Sequence, residues 1–139
     1  MDAIKEISGD VKVLVAEDNL LARVVLQNMF EELDCEVVAV NNGREAVEQF
    51  NHHFDIVFID YNMPVMNGDE AAKVMRQKEI EYDKKKSAYI VGLTANNSEG
   101  INRACLEAGI NEVMKKPINP QALKKLLETR FKELTPIQR

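Results

Sequence analysis

The sequence predicts an α/β fold, a doubly wound five-stranded parallel sheet built from five successive βα units. Two observations predict it. Short, β-branched and almost wholly apolar runs recur along the chain, as is typical of strands that are buried on both faces. Segments with helical periodicity lie between them, and strands that alternate with helices through short connections form parallel sheets. We expect one domain over residues 1–139, with its core at about 10–134.

The five predicted strands differ in how clearly the sequence marks them. Three are marked by strong apolar runs, namely residues 11–16 (VKVLVA), 55–60 (DIVFID) and 89–93 (YIVGL). Two shorter candidates are residues 36–40 (EVVAV) and 112–115 (EVMK). We expect the three strong runs to be the ones buried on both faces.

The five predicted helices each carry an apolar face that must cover the sheet. In the first helix this stripe consists of Ala22, Leu26, Met29, Phe30 and Leu33. The second helix (44–50) and the third each follow an Asn-Gly pair, and we expect both to be short. The fourth ends at Gly109 and the fifth opens near Pro120. The lysine-rich segment 79–88 is expected to be a solvated loop.

The composition limits the classes of function. The chain is 45% hydrophobic and 29% charged, and no apolar run approaches the roughly 20 residues of a membrane span. A net charge of -5 leaves no basic surplus for nucleic-acid phosphates, so neither nucleic acid nor membrane is an expected direct partner. Cys35 and Cys105 have no paired spacing and the amino terminus lacks signal-peptide form, which favours a cytoplasmic protein.

Chemically active side chains follow four of the predicted strands, at the edge where such sheets bind ligands. They are Glu17 and Asp18 after the first strand, Asp60 at the end of the third, Thr94 after the fourth and Lys116 after the fifth. Three carboxylates about 5 Å apart repel by roughly 3 kcal/mol per pair at an effective dielectric near 20. Mg²⁺ offsets this repulsion, because it prefers oxygen ligands and shares them with phosphate. The cluster therefore predicts Mg²⁺-dependent phosphoryl chemistry.

Asp60 is the predicted nucleophile, because it alone ends a central strand that is buried on both faces. Aspartate is an established covalent phosphoryl acceptor. Lys116 would neutralise the equatorial phosphoryl oxygens and Thr94 would donate to one of them. Taken singly, the acidic pair is typical of a helix cap, the threonine of a turn and the lysine of a solvated loop. Their joint placement at four strand ends favours the functional interpretation.

Four motifs resemble those of the response-regulator receiver domains of two-component and phosphorelay signalling. They are VLVAEDN at 13–19, DIVFIDYNMPVMNG at 55–68, IVGLTA at 90–95 and KKP at 115–117, in order over nearly the whole chain. The resemblance implies a flavodoxin-like fold with strand order 2-1-3-4-5. It also implies a partner that carries phosphohistidine, either a histidine kinase or a histidine phosphotransfer protein. The EDN form is similar to that of receivers in hybrid sensor kinases.

The resemblance also implies a role for each matching residue. Asp60 matches the phosphoacceptor, and Glu17 with Asp18 matches the acidic pair that holds Mg²⁺, Asp18 being the more direct ligand. Asn62, two residues after the phosphoacceptor, would offer its backbone carbonyl to the metal. We therefore expect a metal site of Glu17, Asp18, Asp60 and Asn62.

The switch residues match the family with one departure. Thr94 corresponds to the switch hydroxyl and Lys116 to the lysine that pairs with the phosphoryl group, joined to Pro117 by a cis bond. Many receivers have Tyr or Phe three residues before that lysine, where this chain has Val113. The departure concerns the output and not the phosphorylation chemistry.

Three other functions use related chemistry. A phosphatase of the haloacid-dehalogenase type has a second Asp two residues after the nucleophile, where this chain has Asn62. A flavodoxin-like cofactor binder needs a phosphate loop after the first strand, where Glu17 and Asp18 would repel phosphate. An unphosphorylated receiver-like interaction module remains open, although every chemical position is filled. We prefer a signalling phosphoacceptor that catalyses only its own phosphorylation and dephosphorylation.

Overall fold

Five strands alternate with five helices in the computed structural model, which describes residues 11–82, 87–96 and 98–134. The strands are β1 Lys12–Ala16, β2 Glu36–Val40, β3 Ile56–Asp60, β4 Tyr89–Thr94 and β5 Glu112–Lys115. The helices are α1 Leu20–Glu32, α2 Gly43–Gln49, α3 Gly68–Glu81, α4 Glu99–Glu107 and α5 Pro120–Leu134. The predicted order of elements is confirmed, with boundaries that differ by a few residues.

The strands form one parallel sheet in the order β2-β1-β3-β4-β5, as the resemblance implies. All five residues of β3 are buried, and so are all but the first residue of β1 and of β4. The outer strands β2 and β5 are mostly half-buried. The apolar runs of the central strands follow from helices covering both faces of the sheet.

Helices pack on both sides of the sheet, and a separate apolar cluster fills each side. On one side α1 and α5 cover the sheet, and Phe30 of α1 meets Phe58 of β3 edge-on with ring centroids 5.0 Å apart. On the other side α2, α3 and α4 contribute buried residues that include Ala46, Met75 and Cys105. Because β1, β3 and β4 are covered on both faces, their carboxyl ends are held rigidly at one edge.

The third helix is longer than the sequence analysis predicts, so that prediction is wrong. It has 14 residues and extends into the segment expected to be a loop; residues 83–86 of that segment lie outside the described residues. Two contacts explain the extension. Arg76 forms a 2.9 Å ion pair with the buried carboxylate of Glu79, which also accepts the backbone N–H of Ala88 at 2.8 Å. These bonds hold the last turn of α3 against the start of β4.

Candidate functional site

Three carboxylates meet at the carboxyl edge of the sheet. The β1–β3 register pairs Ala16 with Ile59, so the next residues, Glu17 and Asp60, are neighbours. Asp18 completes the cluster, and one carboxylate oxygen from each residue lies within 4.8 Å of the other two. Glu17 and Asp60 are buried, whereas Asp18 is exposed. The structure thus brings together the three acidic residues that the sequence analysis selects.

Glu17 is fully buried, and its backbone N–H and both of its carboxylate oxygens are anchored. Its backbone N–H donates to the carbonyl of Val40 at the end of β2, at 3.1 Å. Its Oε2 accepts the N–H of Asn19 at 3.2 Å, and its Oε1 accepts a hydrogen bond from Lys116 Nζ at 3.0 Å. A carboxylate tied in this way has little freedom to move, and it fixes one corner of the site.

Lys116 brings a positive charge into the cluster from the loop after β5. Its backbone N–H donates to the carbonyl of Thr94 at 2.8 Å, and the Lys116–Pro117 bond is cis, as the resemblance implies. The ammonium lies 3.0 Å from Glu17 Oε1 and 3.5 Å from Asp60 Oδ2. Burial lowers the pKa of Lys116, but the hydrogen bond to Glu17 and the charge of Asp60 outweigh it and raise the pKa.

The surroundings of Asp60 disfavour the ionised form of its carboxyl group. Burial and the nearby charge of Glu17 raise its pKa to about 6, although Lys116 acts in the opposite direction. This is the value for the protein without a metal ion. A cation at the cluster would favour the ionised carboxylate by direct attraction. The electrostatics therefore favour a divalent cation beside Asp60.

Thr94 is buried at the end of β4, one residue beyond Leu93, the register partner of Asp60. Its hydroxyl donates to the backbone carbonyl of Asn96 at 3.0 Å, and it accepts the Asn96 N–H at the same distance. The hydroxyl therefore holds the loop after β4 in this structure. To donate to a group on Asp60, the Thr94 hydroxyl would have to give up its hydrogen bond to the Asn96 carbonyl.

The loop after β3 is packed closely against Asp60. The N–H of Gly68 donates to the Tyr61 carbonyl at 2.8 Å, and a Cβ at Gly68 would lie 2.6 Å from the Asp60 carbonyl oxygen. Only glycine fits there without a shift of the loop. Asn62 is exposed in this loop, and its carbonyl accepts no hydrogen bond from the described residues.

The donor atoms at this edge fit Mg²⁺. They are the hard carboxylate oxygens of three residues, and the exposed side of Asp18 leaves room for metal-bound waters. The described residues place no histidine or cysteine in this cluster, which argues against a site built for a softer metal such as zinc. Glu17, Asp18, Asp60 and the Asn62 carbonyl are the candidate ligands.

The sequence analysis missed an exposed apolar surface on α1. Leu20 and Leu21 are 66% and 74% exposed, and Val24 and Val25 are also exposed. Beside them a groove of about 420 Å³ runs to Glu17 and Lys116, lined also by Ala22, Met29 and Ile118. The sequence did hold a signal for this surface, because α1 has more apolar residues than one stripe can contain. Leu26 and Phe30 face the sheet, whereas the four exposed residues do not. We call Leu20, Leu21, Val24 and Val25 the α1 face.

Comparisons with known proteins find similar sequences. Residues 13–128 match the model of the response regulator receiver domain family. The chain is 40% identical, over 118 residues, to hybrid signal transduction histidine kinase A of Dictyostelium discoideum, a match that covers 84% of this chain and 5% of that protein. The chain thus spans a small part of this relative. Among the described residues, no helix is both long and apolar enough to span a membrane.

Two solved structures are similar in both fold and sequence. The receiver domain of Saccharomyces cerevisiae Ssk1, solved with the histidine phosphotransfer protein Ypd1, superposes with a TM-score of 0.80 at 31% identity, covering 88% of each chain. The receiver domain of a Pseudomonas aeruginosa sensor histidine kinase has a TM-score of 0.74 at 29% identity, covering 87% of this chain and 96% of that one. That structure has a magnesium ion coordinated in its active site cleft.

Proposed function

Because this chain belongs to the response regulator receiver family, we propose that it accepts a phosphoryl group on Asp60 from a phosphohistidine partner, with Mg²⁺ as cofactor. One observation carries the assignment to residues: Glu17, Asp18 and Asp60 meet within 4.8 Å, with Lys116 beside two of them. No other cluster of three such ligands occurs in the part of the chain that is described. Of the three, Asp60 is the one that ends the most buried strand.

The residues divide the chemistry between them. The phosphorus–nitrogen bond of the donor breaks as a bond forms from an Asp60 carboxylate oxygen to phosphorus, and the donor imidazole leaves. Bound Mg²⁺ would neutralise charge on the phosphoryl oxygens. Lys116 supplies a second positive charge, and it is already placed between Glu17 and Asp60. The Thr94 hydroxyl, on the strand beside Asp60, would donate to a phosphoryl oxygen after leaving Asn96.

The partner in this proposal is a histidine phosphotransfer protein or a histidine kinase. The Ssk1 receiver domain, which this chain resembles, was solved with such a phosphotransfer protein. The α1 face supports the same partner here, because exposed aliphatic residues beside a catalytic edge mark a surface used for protein contact. The groove next to α1 leads to Glu17 and Lys116, so a partner docked there would present its phosphohistidine to Asp60.

Residues 1–139 act as one receiver domain that transfers the phosphoryl group to and from itself and catalyses no separate reaction. A cytoplasmic location is part of the proposal, because Cys35 and Cys105 are free thiols, as is typical of proteins in a reducing compartment. A phosphatase with an aspartyl nucleophile is the alternative, and turnover of a general phosphatase substrate would favour it.

Phosphorylation of the full chain tests the proposal. With acetyl phosphate and Mg²⁺, intact-mass measurement should show one added phosphoryl group, and EDTA should abolish it. Asp60→Asn should show none. Asp69→Asn is the matched control, because it removes a carboxylate from the first turn of α3 and should label like wild type. Labelling of Asp60→Asn as strong as wild type would remove Asp60 from its role, and continuous hydrolysis of p-nitrophenyl phosphate would favour a phosphatase.

A further inference from the structure

Arg23 lies beside the acidic cluster, yet it forms no ion pair with a carboxylate in the part of the chain that the structure describes. Its Nη1 instead donates to the backbone carbonyl of Glu17 at 2.8 Å. We propose that Arg23 is a positioning residue that fixes the Glu17–Asp18 peptide and thereby aims Asp18 at the metal. This inference rests on the proposed function, because it concerns the same Mg²⁺ site.

The local structure of α1 explains how Arg23 reaches the loop. Asn19 caps the helix, its Oδ1 accepting the Ala22 N–H at 2.9 Å, and its carbonyl accepts the Arg23 N–H at 2.9 Å. Side chains of a helix tilt toward its amino terminus. A long side chain one turn into α1 therefore extends back past the cap, and the guanidinium arrives at residue 17.

The bond matters because of what it restrains. The carbonyl of Glu17 and the N–H of Asp18 belong to one planar peptide group, so fixing the carbonyl fixes the rotation of that plane. The rotation sets the direction in which the Asp18 side chain leaves the backbone. Glu17 is held through its own N–H and carboxylate, whereas the carboxylate of Asp18 accepts no hydrogen bond from the described residues. Arg23 is thus the contact that constrains the peptide entering Asp18.

Electrostatics and positioning predict opposite effects when the guanidinium is removed. A positive charge near the site repels Mg²⁺, so the loss of that charge alone should tighten binding. If Arg23 positions Asp18, its loss should weaken binding, because the free loop must be ordered when the ion binds. Residues that orient metal ligands typically change metal affinity by about 10–100-fold when mutated. The sign of the change therefore separates the two roles.

Titration of the full chain with Mg²⁺ alone, by calorimetry or by the amide shifts of Asp18 and Asp60, measures this sign. We expect Arg23→Met to bind Mg²⁺ about tenfold more weakly than wild type. Arg23→Lys, which keeps the charge and one ammonium donor, should recover part of the loss. Arg44→Met is the control, because it removes an exposed arginine from the first turn of α2 at the same edge of the sheet. It should bind Mg²⁺ as well as wild type or slightly better.

The melting temperature in EDTA reports the fold separately from the site. Arg23→Met with an unchanged melting temperature in EDTA and a weaker Mg²⁺ affinity supports the positioning role. Equal or tighter Mg²⁺ binding by Arg23→Met overturns it. If Arg23→Met does not fold, Arg23→Lys carries the test, with an expected loss of about threefold, and wild-type affinity in that variant overturns the proposal. If wild type itself binds no Mg²⁺ at millimolar concentrations, the proposed function fails, which is a different result.

Discussion

Lys116, which is half-buried, forms an ion pair with the buried Glu17 across the candidate site, with Nζ 3.0 Å from Oε1. The same ammonium lies 3.5 Å from Asp60, so the metal-free protein shares one positive charge between two buried carboxylates. A phosphoryl group on Asp60 would add oxygens that compete with Glu17 for this ammonium. Lys116 therefore stabilises the resting site and is available to the phosphorylated one.

Lys116→Ala should leave Mg²⁺ binding intact or slightly tighter while it slows phosphorylation from acetyl phosphate. The ammonium repels the ion but helps the phosphoryl oxygens. The variant should also lose about 3 kcal/mol of stability in EDTA, because Glu17 is then left buried without its partner. Mg²⁺ titration, intact-mass kinetics and thermal melting measure the three effects. Lys115→Ala, an exposed neighbour, is the control. Equal defects in Mg²⁺ binding and in phosphorylation would contradict the proposal that Lys116 acts on the phosphoryl oxygens and not on the metal ion.

Asp18→Ala should weaken Mg²⁺ binding without destabilising the metal-free protein. Asp18 is exposed and contributes only repulsion to the cluster when no ion is bound, so its loss should leave the melting temperature in EDTA unchanged or higher. Glu17→Ala should differ, because it removes the acceptor of the Lys116 and Asn19 hydrogen bonds. Melting curves with and without Mg²⁺ test both variants. A lower melting temperature of Asp18→Ala in EDTA would indicate that Asp18 is a structural residue.

The raised pKa of Asp60 predicts how stability depends on pH. Its value of about 6 lies above the ordinary value of about 3.9, so between these pH values the folded protein binds more protons than the unfolded chain. This contribution to stability therefore falls as the pH rises from about 4 to about 6, and the ionised carboxylate is a penalty above that window. Asp60→Asn should melt a few degrees higher than wild type at pH 7.5 in EDTA, and the difference should shrink toward pH 5. A constant difference across this range would contradict the shift.

The sequence predicts most of the fold because its strongest signals come from burial. The central strands are apolar since both faces are covered, and Glu17, Asp60 and Thr94 stand where those strands end. The sequence pattern does not predict contacts between residues that are far apart in the chain. The last turn of α3 is held by Arg76, which donates to the Gly109 carbonyl, and by Glu79, which accepts the Ala88 N–H, and neither contact leaves a periodic apolar pattern. The strand order and the cis bond came from the family resemblance and not from composition or spacing.

Gly68→Ala should damage both stability and Mg²⁺ binding. The added Cβ would lie 2.6 Å from the Asp60 carbonyl oxygen, so the loop that carries Asn62 must move. We expect a loss of about 2 kcal/mol, typical of overpacking in a rigid region, together with weaker Mg²⁺ binding. Gly100→Ala is the matched control, because a Cβ there meets no atom within 4 Å and alanine favours the helix. Thermal melting and Mg²⁺ titration compare the two. Equal stability of Gly68→Ala and wild type would show that the loop accommodates the methyl group.

The last prediction concerns the response to phosphorylation. Thr94 holds Asn96 through two hydrogen bonds, so donation to a phosphoryl oxygen would release the loop that leads into α4. In receivers with Tyr or Phe three residues before the motif lysine, a ring can move as the threonine moves, and its large surface gives a partner much to distinguish. Val113 is half-buried against the core beside Gly92, and its branched side chain has few rotamers and little area to expose.

We therefore expect a small rearrangement that stays close to the site. A ligand shifts a conformational equilibrium only by its differential interaction with the two states, so a receiver without that ring is suited to relaying a phosphoryl group more than to strong switching. Amide shifts with beryllofluoride and Mg²⁺ should change around Glu17, Asp60, Thr94 and Lys116. Thr94→Val should bind beryllofluoride and lose the change at Asn96, because its side chain cannot exchange one acceptor for another. Large shifts throughout residues 101–108 and 123–131 in wild type would contradict the prediction, since they would require α4 and α5 to move despite the rigid side chain between them.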